Sequence, residues 1–454
     1  MDKKIVKLDS IERLKEELVK NNLYLPISED IKVLRNPVNI GDKTIPNRIG
    51  IHPMEGCDGT KDGKPDELTI RRYDRFAKSG AGLLWLEATA VVNEGRANSR
   101  QLFINEDTKE DFKKLVTRIK QTAKDNYGEE NIPYTVMQLT HSGRYSKPKD
   151  KPEPIIAAEN EYLDPFLPKD YKTITDGELE ALEDSYVKAA ILAKETGIDA
   201  VDIKSCHRYL NSELLSAHLR SGKYGGSFEN RTRFLIHIVD KIKSAVGEEL
   251  DVTLRMNAYD AIPYPYGFGV DKQDFRKPDL YEPVRLIKML RDRGIKLINI
   301  SCGNPYYNPH IGRPYDLGPY NPLTTPLFNT VLMLNVVKTL QESVPEVAIV
   351  ATGLSWLKDL SPYVAAGGIK EGWFKIAGFG RQAFAYPEFA KDILETGRLE
   401  RSKCCICCSK CTEIMRTGGK AGCVIKDSEI YLPIYKQGIT GEVNLNSDRI
   451  AEHI

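Results

Sequence analysis

The chain has almost no net charge: 65 Lys and Arg against 64 Asp and Glu leave +1 over 454 residues. That balance gives no electrostatic footprint for nucleic acid or for an anionic membrane surface. No run approaches the ~20 apolar residues of a membrane helix. The first residues, Met1-Asp-Lys-Lys-Ile-Val-Lys7, carry charge where a signal peptide needs an apolar stretch. A cytoplasmic, reducing location is the expectation. There is no internal repeat, no low-complexity segment and no G-x-G-x-x-G, so the dinucleotide-binding fingerprint is missing. What remains is 41% hydrophobic and 28% charged, the balance of an ordinary globular chain with room for one large domain or two.

Cysteine is concentrated rather than scarce. Of nine cysteines, six lie between 404 and 423. Cys405, Cys408, Cys411 and Cys423 fit C-x2-C-x2-C-x11-C, three near ligands on a turn and one distant, the way one segment grips a cubane cluster. A second register, Cys404, Cys407, Cys411 and Cys423, also supplies four thiolates. A structural zinc knot is the other occupant such spacing allows. Disulfides fit poorly, because neighbours such as Cys404 and Cys405 pair badly and a reducing compartment disfavours them.

Short β-branched or apolar runs recur at 47–54, 82–88, 133–139, 199–204, 251–256, 296–301, 347–352 and 372–377. Helical patterns separate most of them. Thr175 to Glu178 reads as a capping box opening a helix with Leu179, Leu182, Tyr186, Ala190 and Ala193 on one face. Further helical stretches are 234–245 and 283–294, with another at 11–19 near the N-terminus. Eight strands alternating with helices predict an α/β fold, a (β/α)8 TIM barrel. The expected organisation is an N-terminal extension (1–33), the barrel (34–395), then the cysteine segment with a short tail (396–454). Loops at 259–280 and 303–328, rich in Tyr and Pro, are expected to wall the active site.

In such barrels the chemistry sits at the C-terminal ends of the strands. Those ends carry Pro53, Met54 and Glu55; Ala88; Gln138; Lys204, His207, Arg208 and Tyr209; Arg255; Gly353; and Gly380 with Arg381. Glycine turns after the last two strands, one with an arginine, suit a phosphate.

These residues carry a resemblance. Asn47-Arg-Ile-Gly-Ile-His-Pro-Met54, Gln138-Leu-Thr-His-Ser-Gly-Arg144, Tyr224-Gly-Gly-Ser-Phe-Glu-Asn-Arg231, Gly380-Arg381 and the Cys405-Ile-x-Cys408 start occur in order. The chain resembles the old yellow enzyme family of FMN-dependent barrels over about 34–425. Within that family it is similar to the branch with a [4Fe-4S] cluster, which includes 2,4-dienoyl-CoA reductase and trimethylamine dehydrogenase. The resemblance implies FMN contacts at Pro53, Met54, Glu55 and Ala88. It implies a hydrogen bond from Gln138 to the flavin pyrimidine edge and charge stabilisation by Arg255. Gly353, Gly380 and Arg381 would hold the phosphate. Tyr209 keeps the position of a proton donor and His207 that of a carbonyl-polarising residue. Lys204 stands where a histidine is common and Arg208 where a glycine is. Two cations there favour an anionic substrate group, unless Lys204 points out to solvent. Cys57 and Cys206 are candidate reactive thiols.

The activity implied is reduction of the C=C bond of an α,β-unsaturated carbonyl compound. An amine dehydrogenase or demethylase running the flavin the other way is the alternative. A non-catalytic electron-transfer or zinc-stabilised protein is a reading from another class. Only about thirty residues follow Cys423, so an external electron donor is expected: a ferredoxin, a flavoprotein subunit, or NAD(P)H directly. Homo-oligomerisation stays open.

Overall fold

The computed structural model describes residues 8–417 and 419–440. The ends of the expected N-terminal extension and C-terminal tail, 1–7 and 441–454, lie outside the described residues. Eight parallel strands close into a barrel in chain order. They are β1 (Ile49–Ile51), β2 (Leu83–Ala90), β3 (Tyr134–Thr140), β4 (Ala200–Ile203), β5 (Asp251–Tyr259), β6 (Leu297–Cys302), β7 (Ala348–Ala351) and β8 (Ile376–Phe379). β8 returns to β1 with Ala377 opposite Ile49, which closes the ring. The fold is the (β/α)8 barrel.

All eight runs form strands because each is buried on both faces and therefore reads as a continuous apolar stretch. The last is displaced. The run at 372–377 predicts a strand through Trp373 and Phe374, yet β8 starts at Ile376. Gly372 takes a positive φ of 74° in the turn after helix Ser361–Lys370, and the two aromatics pack behind the strand rather than in it. The expected capping box is present at Thr175 and Glu178, opening helix Asp176–Glu195. The helical pattern at 11–19 is helix Ile11–Lys20.

A two-stranded hairpin, Val38–Ile40 with Lys43–Ile45, plugs the N-terminal end of the barrel. Val38, Ile40 and Ile45 share a core with Trp85, Val136 and Val350. The hairpin covers that end, and the expected site lies at the other, which carries the strand C-termini. Among the described residues no helix is long and apolar enough to cross a membrane.

Candidate active site

Asp202, in the middle of β4, organises the floor. Its carboxylate accepts from Gln138 Nε2 at 2.6 Å, Trp85 Nε1 at 2.8 Å and the backbone N–H of Arg255 at 2.6 Å. Burial pushes this carboxyl up to about 6. Four consecutive strands, β2 to β5, are thereby tied together at the depth where Gln138 and Arg255 emerge. The only sequence signal for Asp202 is a carboxylate inside an otherwise apolar strand.

Above this floor opens a cavity of about 170 Å³. Pro53, Met54, His207, Arg255, Gly353, Gly380 and Arg381 line it, and so does Arg313 from the loop after β6. Among the described residues no Asp or Glu lines it. Buried guanidinium N–H groups of Arg255 (Nε), Arg313 (Nε and Nη2) and Arg381 (Nη1) have no hydrogen-bond partner. An orphaned buried donor costs about 1–3 kcal/mol, and more for a charged group. Three arginines with idle donors and no counter-carboxylate are chemically matched to an anion. Burial, then Arg381, lowers Arg313 to about 10. Gly353 supports the same wall with a φ of 101°, which a side chain would strain.

His52 buttresses the β1 end, with Asn299 Nδ2 at 3.1 Å and Thr352 Oγ at 3.2 Å from its ring nitrogens. A Cβ on Gly378 would come within 2.2 Å of that ring, so the glycine makes room for it.

Glu55, Lys204 and Tyr209 do not line the cavity and form a second group. The Tyr209 hydroxyl donates to Glu55 Oε1 at 2.7 Å and lies 3.1 Å from the Tyr306 hydroxyl. Lys204 Nζ donates to the same oxygen at 3.2 Å and sits 3.5 Å from the centre of the Tyr209 ring. Burial and then Glu55 raise the Tyr209 phenol well above its usual range. Tyr145 stacks on Tyr306 with centroids 4.0 Å apart, closing the aromatic side.

His207 and Arg208 both adopt positive φ, 63° and 60°, in the turn leaving β4. Such backbone persists only where surroundings enforce it. It aims His207 Nε2 at Ser301 Oγ, 3.3 Å away. Burial and then Arg255 hold this imidazole well below its usual range, so it is neutral.

Several expectations change here. Lys204 is not outward-pointing; its side chain is 4% exposed and its charge is answered by Glu55. Arg208 turns away to Asp260. The pair therefore does not supply two free cations for an anionic substrate. Cys57 and Cys206 are held as thiols, since burial raises the first well above its usual range and the second to about 11. Gln138 directs its amide N–H at Asp202. Ala88 follows a register shift in β2 and lies opposite Gln138, its carbonyl taken by Gln101 Nε2 at 3.2 Å.

The cysteine segment lies against the same cavity. Burial, then Cys405 and Cys411, raise Cys423 to about 11; Cys408 is raised by burial and by Cys411 and Cys405. Cys405 and Cys411 neighbour each other and each neighbours Cys408 and Cys423, while the Cys405 thiol also pairs with that of Cys407. Cys404 instead accepts from Gln382 Nε2 at 3.4 Å, and the Cys407 thiol faces the Ser355 carbonyl at 3.8 Å. Arg313 neighbours Cys411, and Arg381 neighbours Cys405, Cys407 and Cys411. Among the described residues no three His, Cys, Asp or Glu side chains are drawn close enough to hold a metal ion. The segment is tied to β1 by Ala421 N–H donating to the Gly56 carbonyl at 2.6 Å.

A parallel barrel with an anion-ready cavity at its strand ends defines a TIM barrel equipped to hold a phosphate-bearing ligand. The chain belongs to the NADH:flavin oxidoreductase / NADH oxidase family, which it matches over residues 33–299. It is a flavin-dependent oxidoreductase of old yellow enzyme type, with FMN as its cofactor. It is 33% identical over 278 residues to an NADPH dehydrogenase of Geobacillus sp. (strain WCH70), covering 60% of this chain and 73% of that one. Among solved structures it resembles a 2-naphthoyl-CoA reductase complex (TM-score 0.72, 21% identity, 90% of this chain and 58% of that one). It also resembles histamine dehydrogenase from Rhizobium sp. 4-9 (TM-score 0.65, 22% identity, 87% and 52%). The chain thus spans little more than half of each of those two chains. Family membership sets aside the non-catalytic reading.

Proposed function

We propose that the chain is an ene-reductase that reduces the C=C bond of an α,β-unsaturated carbonyl compound, an enoate or enoyl thioester. The observation that carries this reading is the position of Lys204. Its ammonium already sits against the Tyr209 ring and Glu55, the aromatic face and carboxylate that an amine substrate would need. A second cation is repelled there, whereas a conjugated carbonyl is not. Bound FMN would supply hydride to the β carbon. Tyr209 delivers the proton to the α carbon. Neutral His207 polarises the carbonyl as a hydrogen-bond donor, and Lys204 holds the carboxylate beside Tyr209. Arg313 and Arg381, with the Gly353 and Gly380 turns, would hold the phosphate, and Arg255 would answer the charge of the reduced ring. Pro53 and Met54 line the cavity and would border the ring; Glu55, Ala88 and Gln138, which the resemblance also implies, do not line it.

The cysteine segment is read as a [4Fe-4S] site built from Cys405, Cys408, Cys411 and Cys423. The C-x2-C-x2-C-x11-C spacing and the Cys405-Ile-x-Cys408 start support that register over the one using Cys404 and Cys407. Backbone N–H groups already point at two of the sulfurs, Cys407 N to Cys405 Sγ at 3.4 Å and Lys426 N to Cys423 Sγ at 3.3 Å. A cluster there would supply one-electron transfer. Iron and sulfide analysis separates it from a zinc knot. Electrons come from NAD(P)H or, through this site, from a ferredoxin or flavoprotein.

The deciding experiment is anaerobic. The reduced protein is mixed with a panel of enoates, and the oxidised protein with a panel of amines. Reoxidation by an enoate is expected, and bleaching by an amine would select the dehydrogenase reading instead. Release of FAD alone on denaturation, or of no flavin, would remove the cofactor assignment.

A further inference from the structure

Tyr209 can give up its proton only once per turnover, and it is 1% exposed. Something must give the proton back. Its hydroxyl has two neighbours, Glu55 Oε1 at 2.7 Å and the Tyr306 hydroxyl at 3.1 Å. A second tyrosine is no better a proton source than the first. Glu55 is different: its side chain is 13% exposed, so it communicates with water more readily than Tyr209 does.

We propose that Glu55 reloads Tyr209, taking a proton from water and passing it across their hydrogen bond after each turnover. The inference rests on the ene-reductase reading. The balance is simple. The Tyr209 O–H bond breaks as a C–H bond forms at the substrate carbon. The tyrosinate left behind faces a carboxylate 2.7 Å away. Two negative charges that close draw a proton onto the pair. Glu55, the wetter partner, collects it, and Tyr209 ends as the phenol. Lys204, within reach of both, holds the extra charge meanwhile. The Tyr306 hydroxyl solvates the phenolate oxygen from the other side. Glu55 is thus a positioning and supply residue, whose effect runs through Tyr209.

The test separates the first proton from those that follow. Holoprotein reduced with dithionite is mixed anaerobically with an enoate that reoxidises the wild type, giving one turnover. The same mixture with excess dithionite gives the steady state. In Glu55→Gln the steady-state rate should fall ~10²-fold relative to the rate of the single reoxidation, because the first proton is already on Tyr209 and only the later ones need Glu55. Glu55→Asp should recover much of the loss. In the flavin-free chain, ultraviolet titration should show the ionisation that Tyr209→Phe deletes moving to lower pH in Glu55→Gln. A wild-type steady state in Glu55→Gln, or equal slowing of the first and later turnovers, overturns the proposal. Failure of every enoate to reoxidise the wild type would sink the ene-reductase reading and this inference together, a result distinct from either.

Discussion

The three guanidinium groups around the barrel-mouth cavity are held to different degrees. Arg255 is fixed through its backbone to Asp202 and through Nη1 to the Pro53 carbonyl at 3.4 Å, and Arg381 through Nη2 to the Pro314 carbonyl at 2.6 Å. Arg313 offers two idle donors, Nε and Nη2. It was not legible from the sequence, because nothing in a 26-residue Tyr- and Pro-rich loop says which side chain folds inward. Charge-assisted hydrogen bonds contribute about 1.5–3 kcal/mol, so Arg313→Gln should weaken FMN binding about tenfold to hundredfold, read by fluorescence titration of the flavin-free chain. An unchanged Kd would mean that Arg313 does not reach the phosphate. Tyr209 was legible, as a tyrosine at the β4 end, but its partner was not: Glu55 reads from its position as one more flavin contact. Tyr209→Phe removes only a hydroxyl from a well-packed ring. Flavin binding and reduction should survive while reoxidation by an enoate slows ~10²–10⁴-fold. A wild-type rate in stopped flow would transfer the donor role to His207 or Tyr306.

At the level of elements, strand and loop differ in how they record themselves. Each barrel strand is buried on both faces, and a buried strand must be apolar throughout, so all eight runs stood out. The misplaced one, 372–377, failed for the same reason: Trp373 and Phe374 are equally buried, but against a helix. Asp202 breaks the apolar rule inside β4, and the price is electrostatic. Its carboxyl is raised by burial from 3.8 to about 6. A raised carboxyl favours the folded state below its unfolded pKa, and that contribution is lost as pH rises through about 6. Between pH 4 and 6 the loss from this one group is on the order of 3 kcal/mol. Denaturant unfolding of Asp202→Asn should therefore show a flatter pH dependence over that window than the wild type, and lower stability throughout, because its one amide oxygen can answer Trp85 and Gln138 only by turning the NH2 against the Arg255 N–H. Parallel curves would mean that Asp202 titrates normally. For the cysteine turn, single serine replacements of Cys405, Cys408, Cys411 or Cys423 should each abolish bound iron, while Cys404→Ser and Cys407→Ser retain it. The reverse pattern would install the other register.

Across the whole molecule, the cysteine segment is not a free appendage. Ala421 is bonded to Gly56 in the loop after β1, and Asp427 receives both Nη atoms of Arg71, at 2.8 and 2.9 Å, together with Arg75. Both arginines stand on helix Glu67–Ala77, the first helix after β1. Helix Ser428–Thr440 is thereby docked on the barrel wall, and Cys423 is placed by what lies on either side of it. The other three thiols of the set depend on different contacts, with Gln382 accepting the Cys405 backbone N–H at 3.1 Å. Two independent tethers thus hold the distant thiol and the three near ones against the barrel. Asp427→Asn weakens only the distant tether, because the arginines it releases are each about a third exposed and can be solvated. The flavin cavity contains none of these residues. The expected outcome is a purified protein whose flavin content is unchanged while its iron content falls, with new tryptic cleavage between 416 and 436. Metal analysis beside the flavin absorbance measures the ratio. Loss of both cofactors in step would show instead that the segment and the barrel mouth fold as one unit, with the shared arginines, Arg313 and Arg381, as the link between them.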